Sequence, residues 1–290
     1  MDNLSAPIKI MISAGDVSGD RHGALLIDTL KKKLPNCEFF GLGGHYLKQS
    51  GMHIIADLTP YSTIGILEPI RYLSHYIKAL KAVKIALKTK KPDLIIPIDS
   101  QGFNMQLLKI AHDLNIPSIY YIAPQEWQWG SKKGGKKVVS LSSKILSIHK
   151  EEHAFYQELG KNSSYIGHPI VDLVKATLSK KEFYQHYSLS STDRILSLFP
   201  GSREQEIKHI APILIKTAQN LQSNTKNLRI FISVTKEHYL PRLKQLTKKL
   251  GLHNPIFYHD NSYNLIQHAT LSLTSSGTIT LEHALLKTPC

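Results

Sequence analysis

Asp99 occupies the kind of position in which enzymes carry a catalytic base. It directly follows the apolar run "DLIIPI" (93–98) and precedes the helical pattern "QGFNMQLLKIAHDLN", so it lies at the carboxyl end of a predicted buried strand. Parallel sheets collect reactive groups at that end, and a carboxylate there can take the proton of an attacking hydroxyl group. A second interpretation is that Asp99 only caps the following helix. The residues alone leave both interpretations open.

The turn "PGSREQEI" (200–207) has the composition of a phosphate or diphosphate site. Gly201 has no Cβ and lets the backbone approach a ligand closely. Ser202 is predicted as the N-cap of the next helix, with Gln205 at the N3 position, as in a capping box. The free N–H groups of that helix and the cation of Arg203 would then face an anion. A capped turn without any ligand has the same pattern.

The segment "LSLTSSGTITLEHAL" (271–285) repeats this design: a strand, a polar loop and a helix. Glu282 lies about one turn into that helix, where it can accept hydrogen bonds from ribose hydroxyls. Two such loops in one half of the chain predict an elongated anion with a sugar attached, as in a nucleotide sugar. The loop residues predicted to contact it are Ser275, Ser276, Gly277 and Thr278.

A third polar turn, "SAGDVSGDRHG" (13–23), follows the first predicted strand. Glycines give it flexibility and free backbone donors, but its acidic residues are unusual in a phosphate loop. These carboxylates are predicted either to bind sugar hydroxyls or to cap the helix. The candidate residues in this turn are Gly15, Asp16, Ser18, Gly19 and Asp20.

Short apolar runs that alternate with amphipathic segments must position these turns. The runs are continuous, which is typical of parallel strands covered on both faces. The pattern indicates an α/β fold. It restarts at Ile195 after a polar region (175–194) that is interpreted as a linker containing a helix. We therefore predict two doubly wound domains, 1–175 and 176–290, with a ligand cleft between them. The predicted strands include "IKIMIS", "EFFGLG", "DLIIPID", "SIYYIA", "KILSIH", "ILSLFPGS", "LRIFISVT", "PIFYHD" and "LSLTSSG".

The composition restricts the compartment and the partners. The chain has 290 residues, with 36 Lys and Arg against 22 Asp and Glu, a formal net charge of +14. This charge suits an anionic partner, either a phosphorylated substrate, an acidic lipid or a nucleic acid. Two cysteines indicate a reducing compartment, and the start of the chain does not have the pattern of a signal peptide. No apolar run is long enough to span a bilayer, so a cytoplasmic location is expected.

The segment "SGTITLEHALLKTPC" ends the chain at a point where a doubly wound domain would continue into a further strand. The sequence is therefore expected to be truncated, with an incomplete second domain.

Seven motifs together resemble the lipid-A-disaccharide synthase family: "AGDVSGD", "GLGG", "PIDSQGFN", "YIAPQEWQWG", "IGHPIVD", "FPGSREQEI" and "SSGTITLE". They occur in the family's order and cover nearly the whole chain. The resemblance implies a GT-B glycosyltransferase fold with two Rossmann-like domains. It also implies inverting transfer of 2,3-diacylglucosamine from its UDP donor to 2,3-diacylglucosamine 1-phosphate (lipid X), which gives the β-1,6 disaccharide 1-phosphate and UDP.

The same resemblance implies roles for individual residues. Asp99 matches the family's proposed base, and Arg203, Glu282 and the "SSGT" loop match its UDP-binding elements. The "AGDVSGD" loop matches the acceptor side. No D-x-D motif and no convincing metal spacing occurs, so no metal and no cofactor are predicted. This chain has Gly102 where the family often has a second aspartate, and that carboxylate is therefore not essential here.

The acylated substrates require an apolar surface at the membrane. In the helical segment 61–91, Leu73, Ile77, Leu80 and Leu87 form an apolar stripe beside a basic one formed by Lys81, Lys84 and Lys88. The segment either lies on an anionic membrane or packs into the core. Better candidates for acyl contacts are Tyr61, Ile64, Ile66 and Leu67, and the "KKGGKK" loop (132–137) is a candidate for lipid headgroups or the acceptor phosphate. The expected location is peripheral, at the cytoplasmic face of the inner membrane, and an oligomer is possible.

The residues are also compatible with three other functions. A UDP-sugar 2-epimerase or another GT-B transferase would use the same diphosphate cradle. A truncated chain would be a catalytically impaired fragment that still binds UDP. A nucleic-acid-binding protein would explain the charge, but no recognised motif of that class is present.

Overall fold

A computed structural model describes residues 6–61, 72–160 and 162–290 of the chain. The chain divides into two compact units between Pro169 and Ile170. The sequence predicted this boundary near residue 175. It lies earlier because Ile170 and Val174 pack into the core of the second unit.

The first unit is built on a parallel sheet, which in the described residues has seven strands in the order β3-β2-β1-β4-β5-β6-β7. The strands are β1 (Ile8–Ala14), β2 (Cys37–Leu42), β3 (His53–Ala56), β4 (Leu94–Ile98), β5 (Ile119–Tyr121), β6 (Lys144–Ser147) and β7 (Ser163–Tyr165). The helices are α1 (Val17–Lys33), α2 (His45–Gln49), α3 (Leu73–Lys90), α4 (Gln101–Asp113), α5 (Lys132–Leu141) and α6 (Lys150–Gly160), with a 3₁₀ turn at Thr59–Tyr61.

The strands of this sheet are apolar on both faces because helices cover both faces. Side chains of β1 alternate between two cores: Met11 packs with Val83 of α3, while Ile12 packs with Ile27 of α1. This alternation follows from the two-residue period of a strand. The strand order reverses between β1 and β4, and in open α/β sheets the carboxyl edge at such a reversal is where ligands bind.

The second unit has a parallel sheet with the order β10-β9-β8-β11. Its strands are β8 (Arg194–Phe199), β9 (Leu228–Ser233), β10 (Ile256–Tyr258) and β11 (Leu271–Thr274). Its helices are α7 (Ile170–Leu173), α8 (Lys180–His186), α9 (Glu204–His209), α10 (Ala211–Asn224), α11 (Leu240–Lys249), α12 (Ser262–His268) and α13 (Thr278–Leu285), with a 3₁₀ turn at Glu237–Tyr239. Helices again cover both faces, with Leu198 in one core and Phe199 in the other.

The alternation of strands and helices confirms the predicted α/β class. The helix predicted within 175–194 is α8, but the segment is not merely a linker, because α8 packs the fully buried Phe183 into the second unit's core. The sequence analysis missed β3, and it did not separate β7 from the end of the first series. Both strands are short, and β7 ("SSY") has little apolar character.

None of the helices in the described segments combines the length and the apolar character needed to cross a bilayer.

Candidate active site

Asp99 lies in the turn from β4 to α4, and hydrogen bonds fix its backbone. Its N–H donates to the carbonyl oxygens of Tyr121 and Ile122, each at 3.2 Å. Its carbonyl oxygen accepts from Asn104 Nδ2 at 2.8 Å and from Tyr120 Oη at 3.0 Å. Asp99 has a φ of 45°. Residues other than glycine adopt this conformation only at a cost in free energy, and such residues cluster at functional sites. The turn is therefore held in a strained shape by its surroundings.

Asn104 ties this turn to the end of β1, and the sequence analysis assigned it no role. It is fully buried, and its Oδ1 accepts from Ser13 Oγ at 2.6 Å. Its Nδ2 donates to the carbonyl oxygen of Ile98 at 3.1 Å in addition to that of Asp99. A buried amide inside the apolar face of α4 was the available signal, since buried polar groups need partners.

The environment of Asp99 suits a base that works near neutral pH. Burial raises the pKa of Asp99 to about 6, and the Asp16 carboxylate raises it further, while the backbone N–H of Ser100 lowers it. The side chain nevertheless remains accessible to solvent, although protein surrounds it closely. A carboxylate with this pKa is ionised at pH 7 and more basic than an ordinary aspartate.

The loop after β1 lies directly beside this turn. A Cβ on Gly15 would lie 2.1 Å from Ser100 Oγ, so only glycine fits there. Asp16 accepts from the backbone N–H of Gly19 at 2.6 Å and caps α1, while Ser18 is half-buried. Gly15 therefore lies against the Asp99 turn, and Asp16 is close enough to raise the pKa of Asp99, while Ser18 and Gly19 follow in the first turn of α1.

Asp20, the fifth of these residues, is not available to a sugar. It is 2% exposed, and its carboxylate accepts from the backbone N–H groups of Gly44 at 2.6 Å, Tyr46 at 2.9 Å and Leu47 at 3.3 Å. These bonds satisfy the amino-terminal end of α2. Asp20 therefore caps a helix other than the one that follows its own turn, whereas Asp16 caps α1 as the capping alternative had it. Burial raises its pKa despite these bonds.

The two anion-binding loops predicted in the second unit are neighbours. β8 and β11 pair in parallel up to Phe199 and Thr274, so both loops leave the same edge of the sheet. The backbone N–H of Ser275 donates to the carbonyl oxygen of Phe199 at 2.9 Å. Gly201 and Gly277 have φ values of 115° and 149°, which favour glycine.

The predicted cap of the helix after "PGSR" was wrong by one residue. α9 begins at Glu204, with Arg203 as its N-cap and Glu206 at N3 in place of Ser202 and Gln205. The Glu206 carboxylate accepts from the backbone N–H of Ser202 at 2.7 Å and of Arg203 at 3.0 Å, and from Arg203 Nη1 at 3.0 Å. The Glu206 carboxylate caps these N–H groups in preference to the Ser202 hydroxyl because charge-assisted hydrogen bonds are stronger. Gln205 is exposed.

The residues after β11 divide into a buried and an open set. Ser276, Gly277 and Thr278 are exposed at the start of α13, whereas Ser275 is buried. Glu282 is 9% exposed, and its Oε1 accepts from Tyr263 Oη at 3.4 Å. A ribose bound by Glu282 would have to compete with this internal contact.

The proposed apolar surface is only partly described. Ile64, Ile66 and Leu67 lie outside the described residues. Tyr61 stacks on His75, with ring centroids 4.2 Å apart. Leu87 of the predicted stripe belongs to the core, while Leu73 and Ile77 are exposed. The first turns of α3 thus keep an apolar surface, and the later turns pack inward.

Within the described residues, no group of three or more His, Cys, Asp or Glu side chains is arranged to hold a metal ion. The absence of a metal requirement stays a prediction.

Comparison with known proteins gives a consistent result. The sequence model of the family described as "Lipid-A-disaccharide synthetase" matches residues 10–290. Lipid-A-disaccharide synthase 1 of Legionella pneumophila (strain Lens) is 34% identical over 282 residues, which cover 97% of this chain and 73% of the relative. Lipid-A-disaccharide synthase of Synechocystis is 30% identical over 290 residues, covering 97% of this chain and 74% of the relative.

Solved structures with the same fold are UDP-sugar enzymes. A putative UDP-N-acetylglucosamine 2-epimerase from Listeria monocytogenes superposes with a TM-score of 0.68 at 12% identity, covering 98% of this chain and 78% of that one. UDP-GlcNAc 2-epimerase from Neisseria meningitidis, bound to UDP-GlcNAc, has a TM-score of 0.59 at 14% identity, with coverages of 97% and 81%. At these identities the likeness concerns the fold alone.

Proposed function

Because this chain belongs to the lipid-A-disaccharide synthase family, we propose that it transfers 2,3-diacylglucosamine from UDP-2,3-diacylglucosamine to 2,3-diacylglucosamine 1-phosphate. The products are the β-1,6-linked disaccharide 1-phosphate and UDP. The observation that carries the proposal is the family match over residues 10–290. It is joined by the carboxylate of Asp99, whose pKa is raised and which lies where the strand order of the first sheet reverses. The fold is of the GT-B class, with two Rossmann-like units.

In the proposed mechanism, the acceptor's 6-hydroxyl attacks the anomeric carbon of the donor as Asp99 takes its proton. The bond to UDP breaks, and the configuration inverts. The fixed backbone of Asp99 supports this role, since Asn104 and Tyr120 hold the turn in place. Gly15 and Asp16 lie beside the same turn, and together with Ser18 and Gly19 they are proposed to contact the acceptor.

The departing UDP gains negative charge, which donors arranged in advance stabilise. We assign this task to the loops after β8 and β11, which leave one edge of the second sheet. The proposed donors and acceptors are Gly201, Ser202, Arg203, Gln205, Ser275, Ser276, Gly277, Thr278 and Glu282. The guanidinium of Arg203 pairs with Glu206, but about a third of the Arg203 side chain remains exposed to solvent. This exposure supports the assignment of Arg203 to the site.

The test combines both acylated substrates with the purified chain and measures UDP release and disaccharide formation. Asp99→Asn should lower kcat by at least about a hundredfold, while calorimetry finds unchanged UDP binding. In the wild type, kcat/KM should fall as the pH drops through about 6, because the base of the free enzyme becomes protonated. Full turnover by Asp99→Asn would contradict the base assignment, and no product from the wild type would contradict the function itself.

The 2-epimerase alternative has weaker support. Solved 2-epimerases share the fold at 12–14% identity, whereas relatives at 30–34% identity are named as synthases. Incubation with UDP-GlcNAc alone, followed by analysis for the C2 epimer of its sugar, distinguishes the 2-epimerase reaction from the transferase reaction.

We also propose a peripheral location at an anionic membrane surface, where the acylated substrates reside. Trp129 is 79% exposed and is followed by the lysines of α5. Leu73 and Ile77 add exposed apolar area on α3. Exposed tryptophan, lysine and aliphatic side chains are the combination that binds membrane interfaces.

A further inference from the structure

Three histidines that this mechanism does not use form a cluster at the carboxyl edge of the first sheet. His22 lies on α1, His149 between β6 and α6, and His168 after β7. The ring centroids of His22 and His168 are 6.4 Å apart, and those of His149 and His168 are 5.7 Å apart. Trp127 lies 5.7 Å from His149 at one end, and Tyr121 lies 6.5 Å from His22 at the other. We call these five residues the histidine cluster.

The histidine cluster begins beside the proposed base. Tyr121 ends β5, and its carbonyl oxygen accepts the backbone N–H of Asp99 at 3.2 Å. His22 is on the helix that starts from the Asp16 loop. A molecule bound along the cluster would therefore have one end near the Asp99 turn.

Two members of the cluster carry polar atoms that lack a protein partner. His22 is 4% exposed, and its buried Nδ1 has no hydrogen-bond partner among the described residues. The same holds for the buried Nε1 of Trp127. Leaving such atoms unpaired is costly, and a ligand with hydroxyl groups would satisfy them.

The charges around the cluster favour a neutral polar ligand. Burial, then His168 and Arg21, lower the pKa of His22 to about 4, and burial, then His149, lower that of His168. Both rings are therefore neutral at pH 7, with one donor and one acceptor nitrogen each. Nearby, the buried Glu152 accepts from the backbone N–H groups of Ile148 and His149. Neutral imidazoles beside carboxyl groups suit sugar hydroxyls better than a phosphate.

We propose that the histidine cluster binds the sugar ring of the acceptor and directs its attacking hydroxyl to Asp99. The imidazoles of His22, His149 and His168 exchange hydrogen bonds with ring hydroxyls, and the half-buried rings of Trp127 and Tyr121 lie along the sugar. This assignment rests on the proposed transferase function. It adds His22, His149 and His168 to the proposed site, three residues to which the sequence analysis assigned no binding role.

The kinetic test varies acceptor and donor separately. Trp127→Phe and His168→Gln should each raise the KM for the acylated acceptor about three- to tenfold, the worth of one neutral hydrogen bond, with donor KM and kcat unchanged. His112→Gln is the matched control for His168→Gln, because His112 lies at the surface and outside the cluster. An unchanged acceptor KM, or an equal rise in donor KM, would overturn the proposal.

Fluorescence tests the same site without turnover. The chain has two tryptophans, so Trp129→Phe leaves Trp127 as the single reporter. Its emission should change saturably with 2,3-diacylglucosamine 1-phosphate in detergent micelles, and not with empty micelles, inorganic phosphate or UDP. A response to phosphate or UDP alone, or none to the acceptor, would overturn the sugar subsite. Failure of the transferase function would instead appear as absent UDP release in the wild type.

Discussion

At the scale of single residues, the first unit keeps three carboxyl groups in surroundings that oppose their ionisation. Burial is the largest cause of the raised pKa of Asp20, of Asp99 (about 6) and of Glu152 (about 7). An acid whose pKa is higher in the folded state than in the unfolded state destabilises the fold progressively as the pH rises from the unfolded pKa through the folded pKa. Only Asp99 among the three is accessible to solvent, which is consistent with a chemical role for it and structural roles for the others.

Glu152→Gln is therefore expected to stabilise the protein at alkaline pH. The pKa of Glu152 rises from 4.5 to about 7, so the ionised form loses stability as the pH rises through that interval. At pH 8 the free energy of unfolding should increase by up to about 3 kcal/mol, at 1.36 kcal/mol per pKa unit. Below pH 4.5 the difference should vanish. Glutamine keeps an oxygen for the two backbone N–H groups that Oε2 now binds.

Urea unfolding at pH 4.5 and pH 8 measures this difference. Glu158→Gln is the control, because Glu158 is exposed and pairs with Lys132 at the surface. A Glu152→Gln protein that is less stable than the wild type at both pH values would contradict the prediction.

Arg203→Ala should weaken UDP binding, since it removes the cation proposed to face the diphosphate. A hydrogen bond to a charged group contributes about 1.5–3 kcal/mol, so Kd should rise about 10- to 100-fold. Arg229→Ala is a close control, because Arg229 is also about one-third exposed and also pairs with a carboxylate, that of Asp193. Arg229 lies near the amino-terminal end of β9, whereas the proposed UDP loops follow the carboxyl ends of the strands. Isothermal titration calorimetry with UDP measures both. Equal Kd values for the two variants would remove Arg203 from the proposed site.

At the scale of elements, the sequence predicted what depends on local pattern and missed what depends on assembly. Continuous apolar runs predicted the long strands because both sheet faces are buried. The cap of α9 was displaced because Glu206 and Gln205 both suit a capping box, and only the turn geometry selects between them. The histidine cluster was not predicted, since His22, His149 and His168 are far apart in sequence and meet only when the sheet forms.

The close approach of two loops gives an element-scale prediction. A Cβ on Gly15 would lie 2.1 Å from Ser100 Oγ, so Gly15→Ala must separate the β1 loop from the Asp99 turn. Transfer should fall at least about tenfold through misplacement of the base. Gly102→Ala, in the exposed first turn of α4, meets no atom within 4 Å. It should stabilise the protein by about 0.5–1 kcal/mol and preserve activity. Thermal unfolding and turnover of both variants provide the measurement, and normal turnover by Gly15→Ala would refute the argument.

At the scale of the whole molecule, both units follow the same rule. Each has a parallel sheet in which two neighbouring strands end in loops rich in small and polar residues, and each set of loops lies where the strand order reverses. The chain spans 73–74% of the length of the two relatives described above, and within it lie both sheets and both sets of loops. The formal charge of +14 is the sum over the 290 residues, and it would attract the chain to an anionic surface such as the one at which acylated substrates are found.

The last prediction concerns this surface. Lys133, Lys136 and Lys137 of α5 are exposed beside Trp129, and no described carboxylate lies within 4 Å of them, whereas Lys132 pairs with Glu158. Each lysine near an anionic bilayer contributes about 1 kcal/mol. Replacing these three with glutamine should therefore lower binding to phosphatidylglycerol vesicles at least about tenfold, and raising the salt concentration should do the same to the wild type.

Sedimentation with vesicles of increasing phosphatidylglycerol content measures this binding. The matched control replaces Lys244, Lys248 and Lys249 of α11, which removes the same charge from exposed positions in the second unit. If both triple variants lose affinity for the vesicles equally, membrane binding depends on net charge and not specifically on the lysines of α5. If only the α5 variant does, and Trp129→Ala lowers binding further at high salt, this face is the one that contacts the membrane. The indole then contributes by burial in the interface, which salt does not screen.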